Sequence, residues 1–146
     1  MNAAIAASVK RVVVGLDVKK RALRGGYQVY THNGRKVTGT DLVKVAAEAQ
    51  TLGVGEIVVN AIDNHGMMKG YDLALVRNSR DATRLSMTVL GGAGLLADIG
   101  KLIETCGVVG VAAGSLFVFK GAYKAVLINY QSQSQKEDLV RAALLH

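Results

Sequence analysis

The sequence contains no proline, only one cysteine and no apolar run long enough to cross a membrane. A membrane span needs ~18 consecutive apolar residues, so we expect a soluble protein. Cys106 excludes an internal disulfide and is predicted to be a small core residue rather than a nucleophile. Average proline usage near 5% would give about seven prolines in this chain. Their absence is unusual for an enzyme with many loops.

The charge balance favours anionic partners. The net charge is +7 and the isoelectric point is near 9.7, which suits nucleic acid, an acidic protein or a phosphorylated metabolite. The basic residues cluster at Lys10–Arg11 and Lys19–Arg24 without the interleaved aromatic residues typical of RNA recognition. We therefore expect no nucleic-acid partner.

The N-terminal segment does not have the order of a secretory signal. In MNAAIAASVK the basic residues follow the apolar part instead of preceding it, so we expect a cytoplasmic protein. The length of 146 residues is that of one ordinary domain. Residues 1–9 form a lead-in to which we assign no role.

Four apolar runs are predicted to be buried strands. Each is followed by polar residues or by a short segment with glycine, which we call a glycine step. Ile57–Asn60 leads to Asp63 and to a loop from Gly66 to Gly70, and Arg11–Leu16 ends at Asp17. Two further runs, Ser86–Leu90 and Val108–Ala113, end in Gly91–Gly94 and Gly114–Ser115. A carboxylate just past the C-terminal end of a buried strand is where α/β folds place their chemistry.

Amphipathic stretches between these runs predict helices. The alternation β-α-β-α-β-α-β favours a parallel sheet with right-handed crossovers. A hairpin is predicted around Asn33-Gly34, a pair that suits a type I′ turn. The predicted elements are the hairpin strands Tyr27–His32 and Arg35–Thr38, the helices Asp41–Leu52 (capped by Thr40), Leu73–Ala82 (capped by Asp72), Leu95–Thr105 (ended by Gly107) and about Gln135–Leu145, and a linker at Gln131–Gln135.

The glycine steps predict an anion site. The sequence Gly91-Gly92-Ala93-Gly94 stands between a strand and a helix, where backbone N–H groups and a helix N-terminus can hold a phosphate. Glycine also serves plain tight turns, so this motif alone leaves both readings open. Gly114-Ser115 on the neighbouring strand end adds further N–H donors and a hydroxyl group. Paired glycine steps of this kind resemble the phosphate site of the last two loops of a (β/α)8 barrel.

Asp17 and Asp63 are the candidate acids or bases. A carboxylate at the edge of a parallel sheet is placed where it can transfer protons to or from a substrate, although strand-end aspartates also stabilise turns. His65 is predicted to be a polar loop residue, because no second histidine stands at metal-ligand spacing.

Several of these segments together resemble a known family. They are similar to the C-terminal half of the cyclase subunit of imidazole glycerol phosphate synthase (HisF family), over about residues 10–130. Two of them are most similar to a paralogous branch associated with surface-polysaccharide amidation. The segments are VVVGLDVKK, GEIVVNAIDNHGMMKGYDL, LGGAG and AAGSLFVFKGAYKAVLINY, of which DN.GMMKGYD and FVFKG…KAVLINY point to that branch.

The resemblance implies a ribulose-phosphate-binding TIM-type (β/α)8 barrel. This chain would supply a (β/α)4 half-barrel with parallel strands, units five to eight, at residues 10–130, followed by a linker and C-terminal helix at 131–146. A complete barrel needs eight strands, so the open edges and apolar face of four strands predict a homo-oligomer, most simply two halves that close one core.

The implied activity is that of a lyase of histidine biosynthesis. A glutaminase subunit would supply ammonia for cyclase–lyase chemistry on a phosphoribulosyl aminoimidazole precursor, with no cofactor or metal. The chain alone should be weak or inactive, because the first-strand aspartate and the second phosphate site lie in the other half. Two alternatives stay open: a non-catalytic ammonia-channelling partner of a glutaminase in polysaccharide sugar amidation, and a bare phosphate-binding half-barrel.

The resemblance also implies roles for individual residues. Three differences from the family pattern favour the amidation branch: His65 replaces a second loop aspartate, Met67 replaces a threonine and Leu90 replaces a serine. The residues carried over are Asp17 as the acid or base of the fifth strand, Glu56 as a charged residue near the ammonia entrance, Asn60 and Asp63 as substrate-facing residues, and Gly91, Gly92, Gly114 and Ser115 as one phosphate site.

Overall fold

The computed structural model describes residues 12–23, 25–107, 109–120, 125–126, 128 and 130–145. The lead-in predicted for residues 1–9 lies outside these ranges. Among the described residues, no helix combines the length and the apolar character that a membrane span requires.

A six-stranded sheet forms the centre of the fold. Its parallel strands are β1 (Val13–Lys20), β4 (Glu56–Ala61), β5 (Ser86–Leu90) and β6 (Gly110–Ala112), and a hairpin contributes β2 (Tyr27–Thr31) and β3 (Lys36–Asp41). The order across the sheet is β3-β2-β1-β4-β5-β6, with β2 and β3 antiparallel to their neighbours. A separate short pair, β7 (Phe119–Lys120) and β8 (Ala125–Val126), comes later in the chain.

Helices connect the parallel strands in the predicted alternation. They are α1 (Leu42–Thr51), α2 (Leu73–Ala82), α3 (Leu96–Cys106), a short α4 (Ser115–Val118) and α5 (Gln133–Leu144), which packs on α3. Each of α1, α2 and α3 precedes a parallel strand, as in β/α barrels. The predicted parallel α/β architecture is confirmed, and the fold is a partial (β/α) barrel.

Short polar side chains start three of the helices. Asp72 caps α2 as predicted, because its carboxylate accepts the Leu75 N–H at 3.0 Å. The predicted cap of α1 is wrong: β3 continues through Thr40 to Asp41, and Asp41 accepts the Val43 N–H at 2.9 Å. Ser132 caps α5, so this helix begins inside the stretch predicted as a linker.

The first strand is longer than the sequence predicts. We expected Arg11–Leu16 with Asp17 just past its end, but β1 reaches Lys20 and Asp17 lies inside it. The cause is the hairpin, because β2 pairs with the segment from Asp17 to Lys20 and keeps it extended. The predicted hairpin is confirmed, and Asn33 and Gly34 have the expected positive φ values of 57° and 75°. Its loop is longer than predicted, because the strands end at Thr31 and begin again at Lys36, and the Arg35 N–H donates to the carbonyls of both Thr31 and His32.

The two faces of the sheet have different surroundings. Alternate strand residues pack against the helices in the core and are at most 3% exposed, namely Leu16, Val18, Ile57, Val59, Met87 and Val89. The residues between them form what we call the open face. Its register gives a lower row of Val13, Glu56 and Ser86, a middle row of Gly15, Val58, Thr88 and Gly110, and an upper row of Asp17, Asn60, Leu90 and Ala112.

Candidate functional site

The upper row of the open face places Asp17 beside Asn60. The two residues are paired in register on β1 and β4, and the Asn60 amide Nδ2 donates to Asp17 Oδ1 at 2.9 Å. The Asn60 Oδ1 atom is buried and has no hydrogen-bond partner among the described residues. A buried acceptor without a partner is unfavourable, so this oxygen is suited to receive a donor from a ligand.

A cavity of about 470 Å³ adjoins this pair. It is lined by Asp17, Asn33, Asn60, Ile62 and His65, and its volume falls in the range of roughly 300–1,000 Å³ that is typical of small-molecule sites. Asn33 comes from the tip of the β2–β3 hairpin. A Cβ atom on its neighbour Gly34 would lie 2.9 Å from the Ile62 side chain, so the tip packs closely against the end of β4.

A smaller cavity of about 130 Å³ lies at the ends of β5 and β6. Such a volume suits an anion such as phosphate better than an extended ligand. Its lining brings together all four predicted phosphate-site residues: it consists of His65, Gly66, Met68, Leu90, Gly91, Gly92, Ala93, Ala112, Ala113, Gly114 and Ser115.

The first glycine step is also required by packing. Gly91 and Gly92 have φ values of 100° and 117°, which favour glycine. A Cβ atom on Gly91 would lie 2.7 Å from the Ala61 carbonyl oxygen, and one on Gly92 or Gly94 would collide with the loop after β4. The Gly70 N–H donates to the Gly92 carbonyl at 2.9 Å and holds the two loops together. Gly114 has a negative φ, and a Cβ atom added to it would meet no other atom, so packing does not require glycine at this position.

The start of α3 already carries a carboxylate. Asp98 Oδ2 accepts the N–H groups of Gly94 and Leu95, both at 2.9 Å. A negative side chain in the first turn compensates the positive end of the helix dipole. These two N–H groups are therefore occupied within the chain, and an anion in the smaller cavity has to depend on other groups.

Asp63 lies away from both cavities. It belongs to a 3₁₀ turn, Ile62–Asn64, and its side chain is exposed. Its Oδ2 accepts the backbone N–H of Lys20 at 3.2 Å, which ties the end of β1 to the loop after β4. The structure thus brings Asn60, but not Asp63, to Asp17.

Glu56 lies at the opposite end of the strands from Asp17. It belongs to the lower row, four residues before Asn60, which corresponds to about 13 Å along a strand. Thr88 donates its hydroxyl hydrogen to Glu56 Oε1 at 2.6 Å. A further cavity of about 500 Å³ at this end includes Glu56, Arg80 and Arg84 in its lining.

Two tyrosines brace the loops around the site. Tyr27 donates its hydroxyl hydrogen to Asp72, 2.9 Å from each carboxylate oxygen, and burial together with this acidic partner raises the Tyr27 pKa above its usual range. Tyr71 donates to the Ala112 carbonyl at 3.2 Å. Burial, with a smaller effect of Asp98, raises the pKa of Tyr71 to about 12.

Sequence reasoning missed three contributors to the site. The Asn33-Gly34 pair predicted the turn, but nothing local indicated that Asn33 would reach the Asp17 cavity. Asp98 stands three residues after Leu95, where an acidic side chain can accept the N–H of the residue before a helix, and this spacing could have revealed that Asp98 occupies the start of α3. Met68 lines the smaller cavity, whereas the neighbouring Met67, singled out from the sequence, does not. Among the described residues, no cluster of three or more histidine, cysteine, aspartate or glutamate side chains is placed to hold a metal ion.

The fold and the position of these cavities define a class of protein. Parallel strands joined by helices are the arrangement of a (β/α) barrel, and the two cavities lie toward the C-terminal ends of these strands, where such barrels carry their sites. The sequence matches the family described as "Histidine biosynthesis protein" over residues 1–124. The chain belongs to this family.

Named relatives agree with the resemblance to the HisF family. A Vibrio vulnificus protein provisionally named imidazole glycerol phosphate synthase subunit hisF3 is 52% identical over 126 residues, which cover 86% of this chain and 48% of that protein. A Leptospira interrogans protein provisionally named as the HisF subunit is 52% identical over 131 residues, 88% of this chain and 50% of that protein. A Clostridium botulinum protein named imidazole glycerol phosphate synthase subunit HisF is 37% identical over 109 residues, 75% of this chain and 43% of that protein. The chain spans about half the length of these relatives.

Proposed function

We propose that the chain is the catalytic C-terminal half of a HisF-type cyclase, which uses ammonia to convert a phosphoribulosyl aminoimidazole precursor. The observation that carries this proposal is the adjacency of two cavities at the C-terminal strand ends, one containing Asp17 and the other the glycine steps. A phosphorylated substrate needs an anchor for its phosphate and a proton-transfer group within reach of the reacting atoms. The two cavities are suited to these two tasks.

Asp17 is the residue to which we assign proton transfer. The Asn60 amide donates to one of its carboxylate oxygens at 2.9 Å and so restricts the orientation of the group beside the larger cavity. A positioned acid or base typically contributes about 10²–10⁴-fold to the rate. Ring closure with bond cleavage needs a second such group and a second phosphate anchor, which we assign to a complementary half-barrel.

The open face supports closure by a second half. Only the segment from Asp17 to Lys20 of β1 pairs with β2, so the segment from Val13 to Leu16 has a strand partner on one side only among the described residues. The opposite edge of the sheet, β6, likewise pairs on one side. Two copies related by a twofold axis could pair each β1 with the β6 of the other copy. We expect a homo-oligomer, and a monodisperse monomer at micromolar concentration in scattering measurements would contradict this assembly.

Turnover with added ammonia tests the catalytic proposal. The isolated chain should convert the phosphoribulosyl precursor negligibly, and a half-barrel with the first-strand aspartate, supplied in trans, should restore activity. Asp17→Asn should then lower kcat by about 10²-fold or more, whereas Asp138→Asn on the exposed surface of α5 should leave it unchanged. An active complex in which Asp17→Asn stays within a few-fold of the parent would remove Asp17 from this role.

A second candidate is a non-catalytic ammonia-conducting partner of a glutaminase in sugar amidation. It is favoured by the apolar side chains of Leu90 and Met68 in the smaller cavity, because apolar groups cannot donate hydrogen bonds to a phosphate ester. Glu56 lies at the far end of the open face from Asp17, as an ammonia entrance would require. Stable co-purification with a glutaminase, without turnover of the precursor by the complemented complex, would favour this function. The cytoplasmic location expected from the sequence stays a prediction.

A further inference from the structure

His65 connects the two cavities. Among the described residues, it is the one residue that lines both the cavity around Asp17 and the cavity around the glycine steps. It follows the 3₁₀ turn after β4, and its N–H donates to the Ile62 carbonyl at 3.2 Å. Its side chain is exposed, and it is therefore accessible to a ligand that enters either cavity.

The smaller cavity has little positive charge of its own. Apart from His65, its lining consists of glycine, alanine, leucine and methionine residues and Ser115, so the described lining contains no lysine or arginine. The nearby helix α3 does not compensate for this, because Asp98 already binds the Gly94 and Leu95 N–H groups. An anion in this cavity would have backbone donors and the Ser115 hydroxyl as neutral partners. Histidine is the side chain whose charge changes between about pH 5 and pH 8.

The charged groups around His65 come from several elements. Asp17 on β1 shares the larger cavity with it, and Asp63 on the 3₁₀ turn is bound to the Lys20 N–H. Lys19 is directed at the Tyr30 ring, with its ammonium nitrogen 5.2 Å from the ring centre, and Lys69 is exposed in the same loop as His65. His32 and Arg35 flank the hairpin tip, and Asp98 lies at the start of α3. Of these groups, none lines the smaller cavity.

We propose that His65 is the charged anion ligand of the smaller cavity, so that protonation of its imidazole controls the affinity of this chain for phosphate monoesters. The proposal rests on the phosphate cavity assigned under the proposed function. Because His65 also lines the Asp17 cavity, an ester whose phosphate binds beside His65 would have the rest of its chain next to that cavity.

Sulfate binding to the full chain tests the proposal without any need for turnover. Sulfate keeps its double negative charge across about pH 5 to pH 8, so changes in its affinity report on the protein alone. At constant ionic strength, calorimetry should show affinity that is roughly tenfold higher at the acidic end, because the imidazolium attracts the anion and loses its charge as pH rises. In His65→Gln the affinity should be independent of pH, and in His65→Asp it should be weak throughout. His32→Gln, which alters a histidine outside both cavities, should keep the parental profile.

A second variant separates this proposal from the phosphate cavity itself. Gly114→Asp adds a carboxylate to a residue of the cavity lining, and the open space and negative φ at Gly114 allow the side chain without strain. Gly92→Asp would be ambiguous, because any Cβ atom there collides with the Gly70 carbonyl. Loss of sulfate binding in Gly114→Asp, together with an unchanged pH profile in His65→Gln, would overturn the role of His65 and keep the cavity. No sulfate binding by the parent, or equal binding by Gly114→Asp, would overturn both.

Discussion

The two faces of the central sheet use similar residues for different purposes. Ile57 and Val58 are neighbours on β4, yet Ile57 is fully buried under the helices while Val58 faces the open side and is half-buried. On β1 the contrast is larger, since Val18 is 1% exposed and Val13 is 54% exposed. The helices of this chain therefore bury the apolar residues of one face of the sheet only. Those of the open face are suited to contact with a second half-barrel.

The largest expected effect separates these two neighbours on β4. Ile57→Ala should lower the free energy of unfolding by about 3–4 kcal/mol, because it leaves a cavity in the core. Val58→Ala, the matched change on the open face, should cost less than about 1 kcal/mol when the chain is a monomer. Urea unfolding at several protein concentrations measures both variants.

Protein concentration sharpens this comparison. If two copies cover the open face, the cost of Val58→Ala should grow as concentration rises, because the dimer is stabilised by mass action. The difference between Val58→Ala and its parent would then be a measure of contact between copies. If Val58→Ala and Ile57→Ala lowered the free energy of unfolding equally at the lowest protein concentration, Val58 would already be buried in the single chain. That result would contradict an open face in the monomer.

The same contrast can be drawn on β2, where Tyr27 faces the helices and Tyr30 the open side. Tyr27 is 5% exposed and donates to Asp72, the cap of α2. Hydrogen bonds to charged groups contribute about 1.5–3 kcal/mol, so Tyr27→Phe should destabilise the chain by about 1–2 kcal/mol. Tyr30→Phe, which loses only a bond from the Gln28 amide, should cost less.

The pH dependence of unfolding gives an independent check on Tyr27. Its pKa is raised in the folded state by burial and by Asp72, so folding favours the neutral phenol. This contribution is complete below the ordinary tyrosine pKa of about 10 and is lost as pH rises toward the higher folded value. Tyr27→Phe should therefore be less sensitive to alkali than the parent. If the parent and Tyr27→Phe lost the same free energy of unfolding as pH rises, the alkaline loss of stability would come from a group other than Tyr27.

Local sequence patterns predicted the elements of this fold well. The alternation of apolar runs and amphipathic stretches gave the parallel strands, and the cap at Asp72 and the turn at Asn33-Gly34 are where the sequence placed them. These features depend on residues within a few positions of each other. The extension of β1 to Lys20 was missed because it depends on pairing with β2, to which the sequence of β1 gives no clue.

The candidate site was predictable only in part. The glycine steps were found from their positions at strand ends, Asp17 from the apolar run that precedes it, and the resemblance added Asn60; Asp17 nevertheless lies inside β1 and not at its end. The place of Asp63 outside the cavities was missed because it depends on the bond to the Lys20 N–H across the sheet. The position of His65 between the cavities follows from how the loop after β4 packs on the glycines after β5. Such contacts between distant segments are not encoded in short spacings.

The smallest expected effect concerns the lower end of the open face. Thr88 donates to Glu56 at 2.6 Å, and both side chains are half-buried in the single chain. Water can replace this partner at a half-exposed carboxylate, so Thr88→Val should cost less than about 1 kcal/mol in urea unfolding of the monomer. Ser86→Ala, on the same face of the same strand, is the matched control. A cost above about 2 kcal/mol, which is characteristic of a buried charged group that loses its donor, would mean that this end of the face is shielded from water. In that case the open face would already be covered where Glu56 lies, and the contrast between the two faces would hold only for its upper row.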